Sequence, residues 1–263
     1  MLDQPQYQPR SNDDRRQTLL EKGRAAQVQS HLDFDWQRPV NIPFWLPNAV
    51  AAGAVSQFHF GEGATARMCR QLRPLLPEQA AKEFLETQAL DEDRHARIFS
   101  AYLDKLGGAR PVSGPMQDLY DEALSWKGAP EAIMVAFHII LEGEALRLCH
   151  GIDGGMPCPL FRDLSAVVAR DEARHVAWGK LYLRDVLPTM PQRERLEIYR
   201  WARALWYRAA RVMAGRYSVL GVLGGRDRFA AWMERKWFER LDDLQSAGLF
   251  TAGERDMFAR AGA

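Results

Sequence analysis

Cysteine is scarce in this 263-residue chain: there are three, Cys69, Cys149 and Cys158, and no two form a C-x-x-C pair. That excludes a disulfide framework and a thiolate site for zinc or an iron–sulfur cluster. Any metal must be held by carboxylates and imidazoles. Charge of one sign is also missing, because 35 basic residues against 34 acidic ones leave a net charge of +1. So small an excess makes no field that would draw in nucleic acid or an anionic membrane. Long apolar runs are absent as well. Ile133–Leu141 and Ala49–Val55 are the longest, and both fall short of the roughly 18 to 20 residues that span a bilayer. The first residues, MLDQPQYQPRSNDDRRQ, lack a basic start followed by an apolar core, so no secretory signal is read and a cytoplasmic location is expected. What the chain does have is an ordinary globular composition, 47% hydrophobic and 26% charged, sufficient for a real core.

Period-two alternation is hard to find, whereas apolar residues recur at helical spacing between Pro and Gly punctuation, so the expected fold is all-α. Long helices are expected over 48–71, 78–106, 129–150 and 160–186, bounded by Pro47, Pro74/Pro77, Gly107-Gly108, Gly128-Pro130, the Gly151-to-Pro159 turn and Pro188. Shorter or flanking helices are expected over 13–27, 115–126, 192–219 and 226–247, with a turn or two after them. The aromatic and proline-rich stretch DFDWQRPVNIPFWLP reads as irregular but packed. The organisation expected is an N-terminal extension over 1–44, a helical unit over 45–187, and C-terminal helices over 188–263 packed on the same domain.

An internal repeat organises the central part. At a constant offset of 80 residues, Glu62-Gly63, Arg67 and Cys69 match Glu142-Gly143, Arg147 and Cys149; Asp91-Glu92 and Arg94-His95 match Asp171-Glu172 and Arg174-His175; Tyr102-Leu103 matches Tyr182-Leu183. Two copies of a helical hairpin without insertions would arrange equivalent residues about a pseudo-twofold axis.

In each copy a Glu precedes an E-x-x-H by 30 residues, giving Glu62 with Glu92 and His95, and Glu142 with Glu172 and His175. Side chains at i and i+3 share a helix face, so each E-x-x-H presents a carboxylate and an imidazole to one point. The partner helix supplies the second Glu. Converging carboxylates repel and are costly to bury, an objection that two divalent cations remove. Mixed oxygen and nitrogen ligation suits iron or manganese rather than a structural zinc. Glu144 competes for the place of Glu142, but lies on another helix face, and the repeat register favours Glu142.

This pattern resembles the ferritin-like di-iron carboxylate superfamily, whose site takes one Glu from each of two helices and E-x-x-H from each of two others. The resemblance covers about 45–187, in the stretches SQFHFGEG, FLETQALDEDRHARIFSAYL, IILEGEAL and ARDEARHVAWGKLYL. It implies a four-helix bundle with additional helices at both ends. It also implies metal ligation by Glu62, Glu92, His95, Glu142, Glu172 and His175, with Glu92 and Glu172 bridging and Glu62 and Glu142 terminal. Asp91 and Asp171 fall where related proteins orient the histidine ligands from behind, with Arg94 and Arg174 neutralising them. Whether each half supports its own histidine or the other's stays open.

The resemblance further implies two iron ions, with manganese in one or both positions as an alternative, and dioxygen as co-substrate. The activity it implies is an oxygenase or oxidase that hydroxylates, N-oxygenates or desaturates a small organic molecule. A ferredoxin or reductase would be the electron donor. A ferritin-type iron store and a manganese-containing oxidase are the alternative readings. Phe99 stands where ribonucleotide reductase small subunits carry a radical tyrosine, and Val168 where aryl-amine N-oxygenases carry an extra His. A Cys-rich electron-transfer domain of the rubrerythrin kind is not in the sequence, and the residues after Pro188 exceed the needs of a storage shell. Cys69, Phe99, His138, Cys149 and Val168 are the candidate pocket residues. His138, one turn before Glu142, and His59, three residues before Glu62, read as core histidines rather than ligands. Trp45, Tyr102, Trp178 and Tyr182 read as packing residues. Homodimerisation through the Trp-rich C-terminal helices is the expected assembly.

Overall fold

A computed structural model describes residues 11–30, 33–147, 158–217 and 226–261. Among them the regular structure is all helical: α1 (Asn12–Ala26), α2 (Asn48–Leu72), α3 (Gln79–Lys105), α4 (Gly114–Leu124), α5, α6 (Pro159–Val186), α7 (Gln192–Tyr217), α8 (Arg226–Ser246) and α9 (Arg255–Ala261). Helix α5 starts at Pro130–Met134, widens into a π-helical stretch over Val135–Leu141, and returns to α geometry over 142–147. No helix of the described residues is long and apolar enough to cross a membrane.

Local chemistry sets the ends. Ser11 and Asp14 form a reciprocal capping box at the start of α1, satisfying two N–H groups that have no partner inside the helix. Prolines open α5 and α6, where their missing N–H costs nothing and their fixed φ fits the first turn. Gly107 and Gly108, both at positive φ, stop α3 in a backbone conformation that a Cβ would strain. The π stretch is a departure from the continuous α-helix expected over 129–150. Its wider turn changes the angular register of everything after it, including Glu142.

Helices α2 and α3 pack along each other as a hairpin; α3 also meets α6, and α6 meets the π stretch of α5. Helix α1 lies across α3 and α6, while α7, α8 and α9 pack against one another and α7 and α8 also against α5. The apolar core falls into two clusters. One gathers the α2 residues Met68, Cys69 and Leu72, the α3 residues Phe84 and Leu85, most of α5, the end of α6 and the C-terminal helices. The other joins the start of α2 (Ala51, Ala52, Val55), the end of α3 (Ile98, Phe99, Tyr102, Leu103) and the start of α6 (Leu160, Phe161, Leu164, Val168). The middle of each long helix, between these clusters, carries the motif carboxylates and histidines. A polar layer therefore divides the hydrophobic core at the height where Glu62, Glu92 and Glu172 stand.

Several packing expectations need correction. Phe34, Trp36, Val40, Ile42 and Leu46 do pack on the second cluster, but Phe44 and Trp45, in the same stretch, are exposed. His59 is half-buried rather than a core residue. Trp178 does pack, stacked between Phe84 at 4.2 Å and Tyr182 at 5.3 Å. Tyr102 is buried and donates to Cys158 Sγ at 3.3 Å.

Candidate metal centre

Glu62 on α2, Glu92 and His95 on α3, Glu142 on α5, and Glu172 and His175 on α6 are all buried. Their ligand atoms form two overlapping groups, Glu62, Glu92, His95 and Glu172 in one and Glu92, Glu142, Glu172 and His175 in the other, each within 4.8 Å. Glu92 and Glu172 belong to both. Both imidazoles turn Nδ1 toward the carboxylates: His95 Nδ1 lies 3.4 Å from Glu62, 3.5 Å from Glu92 and 3.6 Å from Glu172. His175 Nδ1 lies 3.2 Å from Glu92 and 3.8 Å from Glu172.

Behind the imidazoles the pairing is crossed. His95 Nε2 donates to Asp171 at 3.3 Å, and His175 Nε2 donates to Asp91 at 3.1 Å. Arg94 bonds its own helix's Asp91 at 2.8 Å and Asp171 across at 2.5 Å. Arg174 mirrors it, bonding Asp171 at 2.8 Å and Asp91 across. Each aspartate thus serves the histidine and arginine of the other half, which spacing along one helix could not reveal. Gln27, the C-cap of α1, donates to Asp91 at 2.8 Å, closing the network from outside.

Electrostatics follow from this arrangement. Burial drives the carboxyls of Glu62 and Glu142 well above the usual range. Burial also pushes Glu92 upward, but hydrogen bonds with His175 and His95 outweigh it and hold this carboxyl well below its usual value. Burial would lower both imidazoles, yet hydrogen bonds to Asp171 and Glu172 raise His95, and bonds to Asp91 and Glu172 raise His175. Asp91 and Asp171 are held low against burial by the histidines and arginines they accept from. Four carboxylates and two imidazoles converge here, and Glu92, Glu142 and Glu172 each keep one buried oxygen, Oε2, without a hydrogen bond. Lone pairs left unsatisfied in a buried carboxylate cluster are what a divalent cation would fill.

Because Glu62, Glu142, His95 and His175 are all shifted upward, the cation-free cluster holds protons that a metal ion must displace. Divalent cation binding is therefore expected to release protons, and affinity to rise with pH. Calorimetric titration in two buffers of different ionisation enthalpy checks this; an uptake heat independent of buffer would contradict it.

The other candidates divide. Glu144 points away from the cluster, accepting from Trp206 Nε1 at 2.8 Å and pairing with Arg240. Cys69 is buried and its thiol is pushed well up by burial, whereas Cys149 lies outside the described residues. Phe99 stacks on Phe58 at 5.8 Å, and Val168 is buried in the same apolar cluster. His138 is fully buried, its pKa pushed down to about 3 by burial, and its Nε2 meets Gln88 Oε1 at 2.9 Å.

Two residues near the cluster have no counterpart in the motif reading. Gln88 donates to Glu142 at 2.7 Å and to Glu92 at 3.3 Å. Helical spacing held that signal, because Gln88 lies one turn before Glu92 on the same face. Tyr120 of α4 brings its hydroxyl so close to Gly61 that a Cβ there would sit 2.8 Å from it. Burial, with the charges of Glu62 and Glu172 next, raises its phenol. No local pattern marks Tyr120, since only the packing of α4 on α2 brings it in.

No protein-family model matches the chain, and no curated protein sequence matches it. The structure by itself therefore defines the class: an all-helical protein with a buried carboxylate–imidazole cluster whose donors fit metal ions.

Proposed function

We propose that this chain is a ferritin-like di-iron carboxylate protein of the oxygenase or oxidase branch, acting on a small organic substrate with dioxygen as co-substrate. The observation that carries the reading is the sharing of Glu92 and Glu172 between two ligand groups. With two cations bound, Glu92 and Glu172 would be held in common, with Glu62 and His95 completing one position and Glu142 and His175 the other. Oxygen-rich ligation with one imidazole each favours iron or manganese. A pair of reducible metal ions held there would supply the electrons for dioxygen reduction coupled to substrate oxidation. In this reading α2, α3, α5 and α6 are the four-helix bundle.

The protein's own residues do the remaining work. Asp91 and Asp171 fix the imidazole planes and keep Nε2 protonated, leaving Nδ1 as the donor atom. Arg94 and Arg174 balance the aspartates so that the negative charge near the cluster belongs to the ligands alone. The apolar clusters on either side shield the layer from water, which strengthens every charge interaction within it. A ferredoxin or reductase donor, a homodimer and a cytoplasmic location belong to the same proposal.

The test is to load the metal-free protein anaerobically with ferrous iron, admit dioxygen, and follow visible absorbance with iron bound per chain. Uptake that stops at about two irons with a transient coloured species supports the proposal. Continued uptake into a mineral points to storage, and no uptake overturns the metal reading.

A further inference from the structure

The repeat is symmetric in its ligands but not in what stands one turn away from them. At the same offset of 80 residues, Gln88 corresponds to Val168, His138 to Phe58, and Gly179 to Phe99. These positions lie one helical turn from Glu92, Glu172, Glu142, Glu62, His175 and His95. On one side of the cluster, Phe58 stacks on Phe99 and both adjoin the apolar cluster that contains Val168. On the other, the three places hold a glutamine, a histidine and a glycine that are in contact. A Cβ on Gly179 would lie 2.6 Å from His138 Cβ, so the glycine is what admits the imidazole. The π stretch that carries His138 occurs in α5, whereas α2 is α-helical throughout.

The hydrogen bonds order the glutamine. His138 is kept neutral by burial, so one ring nitrogen carries a proton and the other a lone pair. Gln88 Nε2 faces Glu142 at 2.7 Å, and once Glu142 is ionised, as a metal ligand must be, an amide oxygen there would be repelled. The amide is thus fixed with Nε2 toward Glu142 and Oε1 toward His138, whose Nε2–H donates at 2.9 Å. Glu142 is held by a braced donor. Among the described residues no side-chain amide donates to its counterpart Glu62, which faces the imidazole of His95 at 3.4 Å.

We infer that Gln88, braced by His138, is a positioning residue that makes the two cation positions unequal. The position of Glu142 and His175 is the tighter one, and that of Glu62 and His95 the looser one, whose carboxylate lacks a braced amide donor. The inference rests on the reading of the cluster as a two-cation site.

Manganous ion, added anaerobically to the full metal-free chain and followed by electron paramagnetic resonance, separates the two positions. A lone ion gives a six-line spectrum and a coupled pair a broad one. Wild type is expected to fill stepwise, with the six-line form predominant at substoichiometric metal. Gln88→Leu, close in volume but without the amide, is expected to weaken the tighter step by about 10- to 100-fold, so that at one ion per chain coupled pairs appear beside lone ions, where wild type shows the six-line form almost alone. His138→Phe, which installs the residue of the other half and leaves Gln88 unbraced, is expected to shift the spectra in the same direction and carries the test if Gln88→Leu does not fold. If wild type fills both positions equally, or if either folded variant keeps both wild-type steps, the inference fails while the metal reading stands. If wild type binds no manganese under conditions where ferrous iron also fails to bind, both fail.

Discussion

Asp171→Ala is expected to lower stability by about 3–5 kcal/mol, a fall in Tm of roughly 10 °C for a chain of this length. The reason is what the substitution leaves behind. Asp171 has no exposed surface, and it accepts from Arg94 at 2.5 Å, Arg174 at 2.8 Å and His95 at 3.3 Å. Removing it strands two buried guanidinium groups beside a single remaining aspartate. The sign with pH follows from the depressed carboxyl. Its contribution is fully present above the unfolded carboxyl pKa of about 3.9 and is lost as pH falls toward the folded value. Thermal melts of the metal-free protein at neutral pH and in acid should therefore show a large gap between wild type and variant that closes on acidification. A double variant with Arg94→Ala should be destabilised by less than the sum of the two single changes, since the arginine no longer lacks its partner. Near-additive losses would mean that the crossed pairing is not what holds α3 to α6.

Glu92→Ala is expected to abolish retention of both metal ions, with affinity falling on the order of 100-fold or more, beyond what loss of a supporting residue costs. Glu92 supplies an oxygen to both ligand groups, while Glu62 belongs to one. The comparison is thus internal: after anaerobic loading and desalting, Glu62→Ala should retain roughly half the wild-type metal and Glu92→Ala none. Equal retention by the two variants would remove the distinction between shared and terminal carboxylates. Because Glu92 also pairs with His175 and His95, circular dichroism of the metal-free variants must accompany the metal analysis.

Helix existence was legible in the sequence because a buried stripe recurs every 3.6 residues and Pro or Gly marks where it stops. The expected 160–186 helix lies over the observed Pro159–Val186, and 78–106 over Gln79–Lys105. The π stretch of α5 was not legible, because Val135–Leu141 is buried throughout and apolar at every position but His138, and so gives no periodicity from which to read a widened turn. Nor was the exposure of Trp45, since an aromatic in an irregular segment has no period to set its direction. The doubled E-x-x-H spacing marked the six residues whose atoms form the two groups. Gln88 stood one turn away on the same face, without a repeat partner to draw attention to it.

What the sequence alone determined is therefore the chemistry available and its placement along each helix. Three scattered cysteines left metal binding to carboxylates and imidazoles, and i, i+3 spacing put one of each on a common face. These are properties of a single helix, set by its fixed rise and rotation per residue. Only the tertiary structure decided the partners. Asp91 serves His175 and Asp171 serves His95, Glu144 turns to Arg240, Tyr120 reaches Gly61, and Gln88 holds Glu142. Each of these depends on how one helix is rotated and shifted against another. That is settled by packing two apolar clusters around a polar layer, a sum over many weak contacts that no single motif encodes.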